Sequence, residues 1–353
     1  MPTLADTLAA HTRDGELFEA GRGTSLRCVA CAHRCLIAEG GEGVCKVRVN
    51  RGGRLRVPWG YVAGCQSDPI EKKPFFHVHP GSRAFSFGML GCDLHCAYCQ
   101  NWISSQAIRD PEAGTPIEPA TPAALVREAL DAGARSVVST YNEPLITSEW
   151  AVAVFREARQ AGLLTGFVSN GHATPEVLRY LAPWIDIFKV DLKGFDAARY
   201  RALGGRLEPV IETIRTLHAM GTWLELVTLV VPGLNDSEAE LTALAAFIVS
   251  VSPDIPWHVT AFHGRYRMSG SAPTTPRLLM WAAEIGRRAG LRFVYAGNAP
   301  GGVGGLESTT CPGCDARLVE RDGYRILRNR LAGRTRCPEC ERVIPGRWSD
   351  RDV

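Results

Sequence analysis

The 353-residue chain has a formal net charge of +3, with 45% hydrophobic and 22% charged residues. This composition is ordinary for a globular protein, and so small a net charge does not by itself indicate nucleic-acid binding. No run of about eighteen apolar residues is present and the N-terminus lacks the features of a secretory signal, so we expect no spanning helix and a cytoplasmic protein. Because disulfides are rare in reducing compartments, twelve cysteines then indicate metal ligands.

Residues 1–80 form the first predicted region, which is rich in glycine and arginine. It contains four closely spaced cysteines: Cys28, Cys31, Cys35 and Cys45. A region with few apolar residues needs a bound metal to fold. Four thiolates suit either structural zinc or an iron–sulfur cluster, and the spacing alone does not separate the two. Cys65 lies outside every cysteine group and is expected to be a packed thiol.

Residues 81–298 form the second predicted region, where short apolar runs alternate with amphipathic helical patterns. Seven strands are predicted, at residues 84–90, 136–140, 164–169, 185–190, 224–231, 258–262 and 291–295. Helix starts are indicated by cap residues at Thr121, Thr174, Ser237 and Thr275. This alternation predicts parallel strands with right-handed crossovers, which form a partial barrel, a full barrel or an open sheet.

A cysteine motif follows the first of these strands. It reads Gly91-Cys92-Asp-Leu-His-Cys96-Ala-Tyr-Cys99. Three thiolates at this spacing can hold three irons of a cubane cluster and leave the fourth iron open for a small molecule, to which the cluster passes an electron. The alternative is a zinc site completed by a fourth ligand such as His95.

Polar residues follow three other predicted strands. They are Tyr141-Asn142-Glu143, Ser169-Asn170-Gly171 and Asp191-Leu192-Lys193. A parallel barrel builds its active site where its strands end. These residues are therefore predicted to surround the same site as the cysteine motif.

Residues 299–353 form the third predicted region. Glycines between Gly301 and Gly305 suggest a flexible joint. Beyond it, two Cys-x2-Cys pairs predict a zinc ribbon, for which rubredoxin-like iron is the alternative. The four cysteines are Cys311, Cys314, Cys337 and Cys340.

The cysteine motif, with aromatic Tyr98 before its last cysteine, resembles the radical S-adenosylmethionine (SAM) signature. The whole chain is similar to the radical SAM proteins of the AmmeMemoRadiSam system, which are relatives of pyruvate formate-lyase activating enzymes. This similarity rests on the first cysteine block, the motif, and residues 68–74, 87–91, 100–102, 141–144, 191–193, 298 and 344–348. It implies an α/β fold, a partial parallel (βα)6-type TIM-like barrel flanked by a cysteine-rich N-terminal domain and a zinc-ribbon-like C-terminal domain.

The resemblance also implies an oxidoreductase-type enzyme. Its [4Fe–4S] cluster on Cys92, Cys96 and Cys99 would reductively cleave SAM to a 5′-deoxyadenosyl radical, which abstracts hydrogen from a substrate. The implied cofactor-binding residues are Tyr98, Asn142, Glu143, Ser169, Asn170, Asp191 and Lys193. Among them, the Asn142-Glu143 turn would meet the amine of SAM, and Lys193 its carboxylate.

Kinship with the activating enzymes suggests a protein or peptide substrate. A small metabolite or RNA is the alternative, as is a non-catalytic protein with zinc at all three cysteine sets. The expected partners are an electron donor of the flavodoxin or ferredoxin type, a Memo-like protein and an AMMECR-like protein. Neither a membrane nor nucleic acid is expected as a partner.

Overall fold

The computed structural model describes residues 4–110, 112–299 and 302–348. Within these residues, no helix combines the length and apolar character needed to cross a membrane.

Short strands build the N-terminal region. Its elements are α1 (Leu4–Ala10), β1 (Thr12–Asp14), β2 (Phe18–Ala20), β3 (Leu26–Cys28), β4 (Leu36–Ile37), β5 (Val49–Arg51), β6 (Arg54–Pro58) and β7 (Tyr61–Val62). Strands β1, β6 and β5 form one antiparallel sheet and β2, β3 and β4 form another. Although the strands are short, Leu26, Ile37, Leu55, Val57 and Tyr61 are buried in the main apolar core, so the region packs against the rest of the chain. The expectation that it needs a bound metal stays a prediction.

One eight-stranded sheet forms the centre of the molecule. Its strands are β8 (Gly64–Pro69), β9 (Arg83–Gly88), β11 (Ala134–Ser139), β12 (Leu164–Ser169), β13 (Ile187–Asp191), β14 (Trp223–Val230), β15 (Trp257–Ala261) and β16 (Val294–Gly297), while β10 (Glu118–Pro119) pairs with β7. Strands β9 to β16 of this sheet run parallel, and β8 runs antiparallel to β9. Because β8 and β16 are the two sheet edges over the described residues, the barrel is open.

The sequence prediction of a partial parallel (βα)6-type barrel is confirmed. Its six strand–helix units begin with β9, β11, β12, β13, β14 and β15, and β16 follows them as a seventh parallel strand. The predicted boundary at residue 80 falls too late, since β8 already belongs to the central sheet. An antiparallel edge strand of mixed polarity lacks the apolar run by which the parallel strands were recognised.

Helices alternate with the parallel strands along the chain. They are α2 (Trp102–Ser105), α3 (Pro122–Asp131), α4 (Ser148–Gln160), α5 (Pro175–Leu181), α6 (Ala197–Ala202), α7 (Leu207–Ala219), α8 (Glu238–Val251) and α9 (Pro276–Arg288). The predicted caps are confirmed: Thr121, Thr174, Ser237 and Thr275 each accept a hydrogen bond from the backbone N–H three residues later. The caps are predictable from the sequence because the first N–H groups of a helix have no acceptor within the helix, and the side chain of the cap residue accepts one of them.

The C-terminal region is a three-stranded antiparallel ribbon of β17 (Thr309–Thr310), β18 (Arg317–Asp322) and β19 (Arg325–Asn329). Its buried Leu318 and Trp348 pack with Phe76 and Tyr295. The guanidinium of Arg321, which is buried, donates to the carbonyl of Phe76 over 2.7 Å. The ribbon is thus anchored to the base of the barrel.

The glycine-rich segment before the ribbon was predicted to be a flexible joint. Gly301 lies outside the described residues, but Val303 is only 2% exposed and packs in the main core. Val303 therefore fixes this connection to the core, while Gly304 and Gly305 are exposed.

Candidate active site

The cysteine motif lies on the loop between β9 and α2, at the carboxyl end of the first parallel strand. Cys92, Cys96 and Cys99 share one apolar cluster with Leu94 and Phe262. The backbone N–H of Leu94 points at the sulfur of Cys92 over 3.4 Å. The structure therefore places the three cysteines in one apolar cluster at a strand end.

The spacing of these sulfurs bears on which metal they suit. Tetrahedral zinc, with Zn–S bonds of about 2.3 Å, holds its sulfurs about 3.8 Å apart. Over the described ranges, no group of three or more ligand atoms within 4.8 Å of one another includes a cysteine of the motif. His95 packs against Gly204 instead of joining these thiols. The three cysteines therefore lack the tight spacing of a single tetrahedral ion, which a polynuclear cluster does not require because each thiolate binds a different iron.

Glu143 connects the ends of two strands. Its carboxylate accepts hydrogen bonds from Ser169 Oγ at 2.6 Å, from the N–H of Asn170 at 2.8 Å and from the N–H of Leu145 at 3.0 Å. Burial and the nearby charge of Asp93 raise the pKa of Glu143 to about 8. This carboxyl group is occupied by protein donors, so its clearest role is to position Ser169 and Asn170.

Asn142 is also held by the protein. Its Oδ1 accepts from the N–H of Met89 over 3.0 Å, and its Nδ2 donates to the carbonyl of Glu143 over 3.2 Å. These bonds join the end of β9 to the turn after β11. A ligand above this turn would therefore meet backbone groups more readily than the Asn142 side chain.

Sequence reasoning missed a buried cluster behind the motif. Asp93 accepts from Asn170 Nδ2 at 2.8 Å and from His172 Nδ1 at 2.9 Å. The N–H of Arg206 donates to His172 Nε2, which places the ring hydrogen on Nδ1. Burial alone would raise the pKa of Asp93, but the bonds from His172 and Asn170 outweigh it and the pKa lies below its ordinary value. Asp93, the acidic residue inside the cysteine motif, was the feature of the sequence that could have indicated this cluster.

Asp191 lies between two lysines on the inner face of the sheet. Its carboxylate meets Lys189 Nζ at 2.5 Å and Lys193 Nζ at 3.5 Å. Burial would lower the pKa of Lys193, but the charge of Asp191 raises it well above the ordinary lysine value. Lys189 was not predicted, although a lysine within an apolar strand was a usable signal.

A cavity of about 450 Å³ lies beside the motif. Tyr98, Asp191 and Lys193 line it, as does Tyr324 from the ribbon. Its lining also includes the charged residues Asp68, Lys72, Lys73 and Lys189. Four ammonium groups and two carboxylates thus face one space, and this net positive charge favours an anionic group in a ligand. Of the predicted cofactor contacts, Asn142, Glu143, Ser169 and Asn170 are not among its lining residues.

The C-terminal cysteines form a tight set. Cys311 and Cys340 have sulfurs 3.5 Å apart, and those of Cys314 and Cys337 are 3.6 Å apart. All four ligand atoms lie within 4.8 Å of one another. This set can bind one metal ion, and its spacing suits a tetrahedral one such as zinc.

The N-terminal cysteines also converge. The N–H of Cys28 donates to the carbonyl of Cys35 over 2.9 Å. Burial raises the pKa of Cys31, Cys35 and Cys45, and the nearby Cys28 raises each further. Buried thiols of this kind ionise only when a cation binds them.

Comparison with known proteins finds one matching family model and several relatives. The sequence model of the Radical SAM superfamily matches residues 88–246. The protein MJ0808 of Methanocaldococcus jannaschii, itself uncharacterized, is 33% identical over 311 residues, which cover 88% of this chain and 91% of that protein. The isethionate sulfite-lyase activating enzyme of Nitratidesulfovibrio vulgaris is 31% identical over 107 residues, or 30% of this chain and 35% of that enzyme. The pyruvate formate-lyase-activating enzyme of Staphylococcus epidermidis is 25% identical over 194 residues, or 52% of this chain and 76% of that enzyme.

Proposed function

Because the chain belongs to the radical SAM superfamily, we propose that Cys92, Cys96 and Cys99 hold a [4Fe–4S] cluster and that the enzyme abstracts hydrogen from a protein or peptide. The observation that carries this proposal is the wide placement of these cysteines beside a charged cavity at the strand ends. When bound, the cluster and SAM supply a 5′-deoxyadenosyl radical; the protein supplies position and shielding.

The residues around the cavity have separate tasks in this proposal. Lys193, paired with Asp191, offers an ammonium group to the carboxylate of SAM. Tyr98 lines the cavity between the second and third cysteines. Buried Leu94 and Phe262 pack around the cysteines and exclude water. Shielding of this kind protects a reactive intermediate from side reactions.

A protein or peptide substrate is supported by the relatives whose names describe activators of other enzymes. The proposed partners are a one-electron donor of the flavodoxin or ferredoxin type and, as candidates for modification, Memo-like and AMMECR-like proteins. A small metabolite or RNA as substrate is the competing hypothesis within the same chemistry. We further propose zinc at the C-terminal set, where it holds the ribbon on the barrel.

The cluster assignment is tested with anaerobically reconstituted and reduced protein. We expect an electron paramagnetic resonance (EPR) signal that changes when SAM is added, together with release of 5′-deoxyadenosine. Both should disappear in Cys96→Ala and persist in the matched control Cys65→Ala, whose thiol lies near Glu128 and belongs to none of the three cysteine sets. A cluster indifferent to SAM in the wild type would refute the proposal, and bound zinc with no labile sulfide would favour a zinc protein.

The substrate class is tested separately. Candidate partner proteins are produced with deuterium at all carbon positions and added to the reduced enzyme with SAM. Mass spectrometry should then find deuterium in 5′-deoxyadenosine. Transfer from a deuterated small-molecule extract, with none from the proteins, would show that the substrate is a metabolite.

A further inference from the structure

The four N-terminal cysteines form a site that the proposed reaction does not use. We propose that Cys28, Cys31, Cys35 and Cys45 bind a second iron–sulfur cluster, which passes electrons to the cluster at Cys92, Cys96 and Cys99. The electron-transfer role rests on the proposed function, whereas the identity of the metal does not.

Sulfur spacing bears on which of the two metals left open by the sequence, zinc or an iron–sulfur cluster, the N-terminal set suits. The C-terminal set shows the tight spacing of a single tetrahedral ion, with all four ligand atoms within 4.8 Å of one another. Neither the motif nor the N-terminal set contributes such a group within the described parts of the chain. Since a cubane holds each thiolate on a different iron, its sulfurs stand farther apart than those around zinc. The N-terminal set therefore lacks the tight spacing of the ribbon, as the motif does.

The number of cysteines gives the second site its role. The motif offers three thiolates and leaves one iron open, but the N-terminal set offers four. A cluster with every iron bound by the protein has no position for SAM, so it can carry electrons but cannot cleave the cofactor. The N–H of Val44 points at the Cys35 sulfur over 3.4 Å, and such bonds tune the reduction potential of a cluster.

A buried cation accompanies this site. Arg48 acts electrostatically on Cys28 and Cys45, and its side chain is only 1% exposed. The guanidinium also donates to both oxygens of Glu149, at 2.8 and 2.7 Å, in α4 of the barrel. It therefore opposes the negative charge of a cluster and ties the N-terminal region to the barrel.

The two cysteine sites lie against each other. A Cβ atom on Gly91, the residue before Cys92, would lie 3.1 Å from the carbonyl oxygen of Cys45. The guanidinium of Arg109 donates both to the carbonyl of Leu94 in the motif and to the carbonyl of Val44 beside Cys45. Packed atoms and hydrogen bonds thus fill the space between the two sites.

His33 provides another connection between the sites. Its Nε2 lies 3.0 Å from the carbonyl oxygen of Asp93, next to Cys92. Cys31 is two residues away from His33 in the chain. A path through Ala32, His33, one hydrogen bond and Asp93 therefore joins Cys31 to Cys92.

The transfer itself balances simply. An external donor of the flavodoxin or ferredoxin class loses one electron, and the second cluster gains it. The second cluster then returns to its oxidised state as the cluster at the motif is reduced by one electron. No covalent bond forms or breaks and no proton moves in this step.

The metal is tested in a variant without the motif site, Cys92→Ala/Cys96→Ala/Cys99→Ala. After anaerobic reconstitution we expect about four irons and about four labile sulfides per chain. Its EPR signal after reduction should not respond to SAM. Zinc at the N-terminal set, with no labile sulfide, would overturn the proposal. The wild type provides a check that does not depend on whether the variant folds. With both clusters present, it should hold about eight irons per chain.

The matched control is Cys337→Ala, which should lose the ribbon metal and keep both sets of irons. If the motif variant holds its irons but the wild type never cleaves SAM, the proposed function fails and the second cluster stands. If SAM is cleaved and the N-terminal set holds zinc, the proposed function stands and the second cluster fails. The two failures are therefore distinguishable.

Electron transfer is tested in Cys31→Ala/Cys45→Ala. This variant should keep the SAM-sensitive EPR signal and cleave SAM with a small chemical reductant that reaches the motif directly. With reduced flavodoxin as the donor, cleavage should fall to the background rate. Wild-type rates with flavodoxin would refute the transfer role.

Discussion

The buried ion pair between Arg48 and Glu149 allows a quantitative test of how the N-terminal region is held on the barrel. The two side chains are 1% and 2% exposed. Glu149 also accepts the N–H groups of Glu16 and Leu17 at 3.2 and 3.3 Å. Replacing Arg48 with Met leaves a buried carboxylate without its cation, and breaking such a pair costs about 3–5 kcal/mol.

The cost is measured by urea unfolding of anaerobically purified protein. Arg48→Met and Glu149→Leu should each lower the free energy of unfolding by about 3–5 kcal/mol. The double variant buries no unpaired charge, so it should lose less than the sum of the two, by about 2–3 kcal/mol. Its remaining loss reflects the two backbone N–H groups left without an acceptor.

An exposed pair of the same residue types is the control. Arg215 and Glu212 lie 2.7 Å apart with side chains 54% and 67% exposed. Arg215→Met should therefore change the free energy of unfolding by about 0.5 kcal/mol or less. If Arg48→Met costs no more than this control, or if the two core substitutions simply add, the reasoning about the buried pair is wrong.

Acid provides an independent check on the pair. Burial works to raise the pKa of Glu149, but Arg48 outweighs it and the pKa lies below the ordinary value. A depressed folded pKa means that the contribution is present above the unfolded pKa of about 4.3 and is lost as the pH falls through the folded pKa. The difference in stability between wild type and Glu149→Gln should therefore narrow in acid.

Three further predictions use single sites. Gly88→Ala places a Cβ 2.4 Å from a backbone oxygen and should cost about 1–3 kcal/mol, whereas its sheet partner Gly64 has open space and should tolerate alanine in thermal melts. Cys337→Ser should lose about one zinc per chain in metal analysis and lower the melting temperature, while Cys65→Ser should do neither. Glu225→Gln disturbs a buried carboxylate with four hydrogen bonds and should lower the free energy of unfolding by about 1–3 kcal/mol at pH 7. Because His258 lowers the pKa of Glu225 against the effect of burial, the difference in stability between wild type and variant should shrink below pH 4.

Much of the barrel could be predicted because its signals are local. A threonine or serine cap acts within one helical turn, and all four predicted caps are present. The parallel strands carry apolar runs, and all seven were recognised. Strand β8 (Gly64–Pro69) was not predicted because this edge strand contains mostly polar and half-exposed residues.

The details of the site were less predictable. The Glu143 carboxyl group was expected at the cofactor, yet it accepts hydrogen bonds from the end of β12. Lys189 was missed, yet it pairs with Asp191 on the cavity. A motif states which residues gather at strand ends, but the direction of each side chain depends on neighbours from other strands.

The sequence by itself determined the grouping of the cysteines, since cysteine spacing along a loop limits what one metal site can gather. It also determined the alternation of strands and helices, because periodicity and caps act over a few residues. Only the tertiary structure decided which residues distant in the chain meet. Arg48 finds Glu149 across 101 positions and His33 finds Asp93 across 60. The distances between sulfurs likewise follow from how whole loops pack, and they separate the tight ribbon set from the wider N-terminal set.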